Sequence, residues 1–327
     1  MAVLEPVVRR SPPRARVSAQ QMLAVAAAIS LAAFCGRDLA SNPLLFVSTV
    51  LNGVSSAALY FIVASGFTLI FGLLRVTNLA HGSFYLAGGY IGYSIHEAIG
   101  SWLLALAGAG LAVGAMGLVF QVLLLRRVAS DPIRESLLTI GLTVVVADVT
   151  LSVWGGTALD IGAPSVLDSS IHVGTLVYSQ YRIALVGFAL LIGAGLYVLL
   201  QRTRLGMTIR AGVDDPAILA TTGVNVPFLL SLVFGLGALL AGVAGVAGGS
   251  YLSISQGEDA RYLLISLLVV IVGGLGSVPG AAAGALLVGL VEAFAQVHLP
   301  TYSVLVTFAV MIVVLAFRPQ GLFGGVQ

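Results

Sequence analysis

Hydrophobic residues in this chain come in long unbroken runs separated by short polar breaks, not in the three-to-four-residue rhythm of a helix with one wet face. A helix needs about 20 apolar residues to cross the hydrocarbon of a bilayer. By that measure the runs lie near 20–36, 44–74, 79–98, 102–125, 136–154, 181–200, 227–249, 262–278, 280–298 and 301–317. The pattern predicts an all-α, polytopic transmembrane bundle of eight to ten passes, some of them broken or re-entrant. The run 44–74 is too long for one upright crossing, so it is either tilted or broken near Asn52-Gly53 or Gly66. Almost no connection separates 262–278 from 280–298, which suggests helices that do not fully cross. The first run resembles a signal sequence but is long for one and has no clean small-residue cleavage site; an uncleaved helix is the better reading.

Composition removes other classes. The chain is 59% hydrophobic and 9% charged, with a mean hydropathy of +1.07; a soluble domain carries roughly 25% charged residues. One membrane domain, 20–318, is expected between a disordered cytoplasmic tail, 1–19, and a short tail, 319–327. Every basic residue is arginine. Without lysine there is no standard Walker A loop and no Schiff base. No polybasic stripe is present, so nucleic acid is not an expected partner. The single cysteine, Cys35, excludes an internal disulfide and a cysteine metal site. No H-E-x-x-H, G-x-S-x-G or cysteine cluster marks an enzyme, and no metal or other cofactor is expected.

Charge placement orients the bundle. With the N-terminus inside, twelve of fifteen arginines fall on the inner side, and only Arg37, Arg182 and Arg261 fall outside. That is the bias of an inner-membrane protein with both termini in the cytoplasm. Two loops are long enough to do more than connect: 155–180 outside, with Asp160, Asp168 and His172, and 201–226 inside. In the inner loop, Asp215 and Pro216 read as an N-cap and first-turn proline. A short apolar helix then ends at Gly223. A capped apolar helix in a wet loop fits either a groove on a partner or the membrane surface.

Glycines four apart, such as Gly88/Gly92, Gly110/Gly114, Gly245/Gly249 and Gly280/Gly284, are read as close helix packing. The stretch Gly273 to Gly280 is different. Four glycines and a proline in eight residues cannot hold a lipid-facing helix, so Gly273, Gly274, Gly276 and Ser277 are placed inside the bundle near the pathway. Thr77, Asn78, His81 and Gly82 form a polar knot between apolar runs. It reads either as a capped loop, with Thr77 or Asn78 starting the next helix, or as a kinked segment lining a route. His81 has no second ligand at i+3 or i+4. The blocks 44–154 and 227–318 enter from opposite sides, each with an interrupted segment near its middle, which suggests an inverted repeat. The interruption 78–82 pairs with 273–280 on this reading. Asp148 and Glu292 lie toward the outer ends of their spans with no acid–base partner in view, which argues against an ion-coupled secondary carrier.

Several of these segments together resemble the permease subunits of branched-chain amino acid ABC importers. They are Leu51-Asn52-Gly53, Phe71-Gly72, Thr77-Asn78-Leu79-Ala80-His81-Gly82, the loop Arg202 to Asn225, Gly273-Gly274-Leu275-Gly276-Ser277-Val278-Pro279-Gly280, and Arg318-Pro319-Gln320-Gly321-Leu322-Phe323-Gly324. Leu79 stands where phenylalanine is common. The resemblance implies the shorter of two homologous permeases, with a second permease, two ATPase subunits and a periplasmic binding protein as partners. It implies alternating access, with ATP hydrolysed elsewhere. Asn52, Thr77, Asn78, His81, Gly82, Gly273, Gly274, Gly276 and Ser277 would line the substrate pathway. Arg204, Gly206, Arg210, Asp214, Asp215, Ala217, Leu219 and Gly223 would form the ATPase-coupling segment. Amide and urea importers share the architecture, so the solute itself stays open.

Overall fold

The computed structural model describes residues 41–74, 78–128, 131–214 and 216–323. The expected tail 1–19 and the run 20–36 lie outside the described residues. Helix α1 is Pro43–Leu74, α2 His81–Ile99 and α3 Trp102–Phe120, which continues through a wide turn, Gln121–Leu125, to Arg126–Val128. Helix α4 is Pro132–Trp154. A two-stranded antiparallel hairpin follows, β1 Ser170–Val173 and β2 Leu176–Ser179, in the register Ser170 to Ser179. Then come α5 Gln180–Arg202, α6 Arg204–Asp214, α7 Pro216–Thr221, α8 Val226–Gly249, α9 Glu258–Gly273, α10 Val278–His298 and α11 Ser303–Phe317. Among the described residues, seven helical segments are long and apolar enough to cross a membrane: α1, α3, α4, α5, α8, α10, and α11 with its leading turn.

Each apolar run within the described residues is a helix, with one correction. Helix α1 is continuous over 32 residues and is broken neither at Asn52-Gly53 nor at Gly66. Those glycines serve approach instead. A Cβ at Gly53 would sit 2.9 Å from the Leu290 side chain, and one at Gly66 2.5 Å from the Gly237 carbonyl. Without a hydrophobic drive between helices in lipid, such backbone contact is what holds them together.

The packing is that of two related halves. Helix α1 packs on α10, and α8 packs on α3; α2 packs on α8, and α9 packs on α1; α2 touches α3 and α4, and α9 touches α10 and α11. Exchanging α1–α4 for α8–α11 leaves this scheme unchanged. The first helices of the halves run antiparallel, since Ser56 meets Tyr251 while Gly66 and Ile70 meet Gly237. The halves are therefore inverted, as the two blocks of sequence suggested. Their interruptions correspond differently from the sequence pairing, however. The break before α2, described at 78–80, is matched by Ser250–Gly257 before α9. The break Gly274–Ser277 is matched by Gly100-Ser101. In this second pair a glycine with positive φ ends one helix, Gly100 at +72° and Gly274 at +108°. A serine hydroxyl caps the next, Ser101 to Leu104 N and Ser277 to Gly280 N. Residue type had suggested the wrong partners, because the two glycine-containing breaks differ in length.

Helix α5, outside this scheme, packs on α1 and carries the short helices α6 and α7 at its end. The arginines separate as expected. Arg182 and Arg261 lie toward the end where α1 begins, called upper here. Arg126, Arg127, Arg134, Arg202, Arg204, Arg210 and Arg318 lie toward the lower end, where α1 finishes.

Candidate functional site

The polar and glycine-rich positions gather in three places. The first is the bundle centre. Helix α2 starts well inside the lower end of α1, because His81 Nε2 donates to the Val63 carbonyl at 2.9 Å and its ring meets Phe67 edge-on at 5.3 Å. That acceptor fixes the proton on Nε2. Helix α9 starts at the same level from the other half, and the two N-termini meet. A Cβ on Gly82 would lie 1.8 Å from the Asp259 carbonyl oxygen. Tyr85 and Tyr262, one turn into each helix, pack with ring centroids 3.9 Å apart. Asn78 and His81 have no exposed surface. Asn78 does not hold the cap position of this helix. Ala80 holds the cap position, and Asn78 Oδ1 accepts from Ala80 N at 3.2 Å. Thr77 lies outside the described residues. Among the described residues, Asn78 Nδ2, His81 Nδ1 and Ser83 Oγ are buried with no hydrogen-bond partner.

The second place is the upper end. Arg182 hydrogen-bonds Asn52 and lies against the rings of Tyr178 and Tyr251, at 5.9 and 5.1 Å. The Tyr178 hydroxyl donates to Leu51 O and pairs with Ser55 Oγ, both at 2.7 Å. Burial raises the Tyr178 pKa, while the Ser55 hydrogen bond and the Arg182 charge oppose the rise; the phenol remains a neutral donor. Asn52 therefore belongs to a different cluster from Asn78 and His81. Beside it, an acid–base pair not visible in the sequence joins three helices. Glu292 accepts from Tyr60 OH at 2.5 Å and faces Arg261 at 3.5 Å, and Arg261 also faces Glu258 at 3.5 Å. Asp148, by contrast, is exposed. Glu292 lies in the last third of α10, in line with its expected outer placement. Glu292→Ala is expected to leave the buried Tyr60 hydroxyl unpartnered, costing about 1–3 kcal/mol, whereas Glu292→Gln keeps an acceptor. Melting of the detergent-solubilised variants should drop clearly for alanine and little for glutamine; equal curves would show that the cluster does not hold the helices.

The third place is the lower end. Gly273 packs backbone to backbone on Gly280, and Gly276 on Gly72. The peptide from Arg318 onward turns back here: Leu322 N donates to Val272 O at 2.8 Å and Phe323 N to Gly273 O at 2.9 Å. The end of α9 is thus capped by a segment distant along the chain. Helix α6, which sequence reading had not separated from its loop, folds under the end of α5. Gly206 is wedged against Leu199 and Leu200, and Arg210 hydrogen-bonds the Leu200 carbonyl. Arg204 is exposed at the start of α6. Leu219 is buried, packing toward Gly212, while Ile218 is exposed. Gly223 ends α7 at φ +85°. Asp214 and Ala217 are placed by backbone alone, and Asp215 lies outside the described residues. A cavity of about 470 Å³ brings Gly276 and Ser277 of the predicted pathway together with Arg210 of the predicted coupling segment, beside Ile209. A second, apolar cavity of about 430 Å³ lies between α1, α5 and α10.

Inverted halves whose short helices meet nose to nose inside a bundle of membrane-crossing helices define a multi-pass membrane protein of the transporter class. Residues 49–315 match the family described as branched-chain amino acid transport system / permease component, and the chain belongs to that family. It is 29% identical over 303 residues to the high-affinity branched-chain amino acid transport system permease protein LivH of Escherichia coli strain K12, covering 86% of this chain and 96% of the relative. Similarity to the corresponding BraD protein of Pseudomonas aeruginosa is 30% over 303 residues, covering 85% and 96%. The ribose import permease protein RbsC of Escherichia coli strain K12 is 26% identical over 256 residues, covering 75% and 77%. No solved structure matches the chain.

Proposed function

We propose that this chain is the translocation subunit of an ATP-driven importer for branched-chain or closely related amino acids. The observation that carries the reading is the match to amino acid permeases along nearly their whole length, 96% of LivH and of BraD. The lower end, rich in arginine, faces the cytoplasm. A second, homologous permease and two ATPase subunits complete the assembly, and a periplasmic binding protein delivers solute at the upper end, onto 155–180. ATP is hydrolysed on the partner subunits. Helix α7, with Ile218 exposed and Leu219 anchoring it, is the piece that docks into the ATPase. Movement passes through α6 and Arg210 to the wall formed by Gly276 and Ser277. Asn78, His81 and Gly82 are buried at the centre of the bundle, so their part is that of a hinge. The three partnerless buried atoms there support this, since a second arrangement of α2 can supply what this one withholds.

The test is reconstitution. Co-expression with the ATPase and permease genes that neighbour it should yield a complex that takes up radiolabelled L-leucine only with binding protein and ATP. Uptake by this chain alone, driven by an ion gradient, would overturn the assignment in favour of a secondary carrier.

A further inference from the structure

The lower cavity has the makings of a solute site rather than a gap between moving parts. Its volume, about 470 Å³, lies within the roughly 300–1,000 Å³ of small-molecule pockets. Among the described residues lining it, Arg210 alone is charged and none carries a carboxylate. Arg210 spends one nitrogen, Nη1, on Leu200 O and Gln201 Oε1. Among the described residues its Nε and Nη2 donors make no hydrogen bond, and a guanidinium offers five donors in a planar fork suited to a carboxylate. Leu69, Leu200, Ile209 and Val278 give the cavity an apolar side, and Gln201 and Ser277 supply oxygens to it. One cation, oxygen acceptors and an aliphatic wall are complementary to a small molecule with a carboxylate, an ammonium and a branched apolar side chain.

We propose that this cavity binds the transported α-amino acid at the cytoplasmic end of its path, with Arg210 as the carboxylate ligand. The inference rests on the importer reading and adds to it the place and the residue that hold the solute before release. The same arginine ties α6 to the end of α5, so an occupied site bears directly on the segment that meets the ATPase.

Binding of tritiated L-leucine to the purified complex in nanodiscs tests it. On the wild type, 4-methylpentanoate, which keeps the carboxylate, should compete, and leucinol, which lacks it, should compete at least about tenfold less well, as expected for one charge-assisted contact. Arg210→Gln should weaken leucine binding and raise KM for uptake about tenfold or more, with Arg210→Lys retaining much of the affinity. The competition arm needs no variant, so a misfolded Arg210→Gln does not rescue the idea. Equal competition by leucinol and 4-methylpentanoate would overturn it. So would leucine binding indifferent to Arg210 alongside loss of bound anionic lipid from Arg210→Gln, which would assign the arginine to a lipid phosphate. In either case ATP-driven leucine uptake by the wild type would leave the importer reading standing. A wild-type complex that neither binds nor imports leucine would remove both.

Discussion

Gly82→Ala is expected to abolish uptake, although it adds one methyl group. The new carbon would sit 1.8 Å from the Asp259 carbonyl oxygen. That oxygen belongs to the first turn of α9 and cannot swing aside as a side chain can. Overpacking usually costs about 1–3 kcal/mol because neighbours adjust; here two backbones must separate at the bundle centre, and the cost should exceed that range. Gly141→Ala is the control, because nothing lies within 4 Å of the added carbon on α4. Radiolabelled L-leucine uptake in cells lacking their own permease, with melting of the solubilised chain, reads both variants. Wild-type behaviour of Gly82→Ala would mean that α2 and α9 do not meet as described.

Gly206→Val should separate two properties that usually fail together. A Cβ there would lie 2.3 Å from the carbonyl oxygens of both Leu199 and Leu200. Helix α6 must then leave the end of α5, and Arg210 loses its bond to Leu200. The membrane bundle does not depend on this contact, so insertion and yield should persist. Transport and retention of the ATPase through purification should both fail. Gly223→Ala should be milder: there is open space around it, and the penalty is the left-handed backbone at φ +85°, about 1–2 kcal/mol. Full uptake with Gly206→Val would remove α6 from the coupling route.

The spans were legible because crossing length and apolar runs are local properties, and so was the arginine asymmetry, now seen as opposite ends of one bundle. The break at 274–277 announced itself because glycine at that density, with a proline just beyond, does not carry a helix through. Three things lay beyond local reading. Glu292 and Arg261 stand 31 residues apart, so nothing along the chain marks them as a pair. The continuity of α1 depends on neighbours that bury its glycines: Gly53 against α10 and Gly66 against α8. The meeting of α2 and α9 is a contact between residues 177 positions apart, so along the chain Gly82 reads as one small residue in a polar knot. The partner of His81, a carbonyl at Val63, is backbone and leaves no trace in residue type.

The peptide at Leu322 and Phe323 has a practical bearing. It is stitched to the last carbonyls of α9, one residue before the glycine turn that opens toward the lower cavity. Anything fused shortly after Phe323 would pull on that stitch. A purification handle or fluorescent reporter at that end would therefore report on, and disturb, the same few residues that close the floor of the bundle.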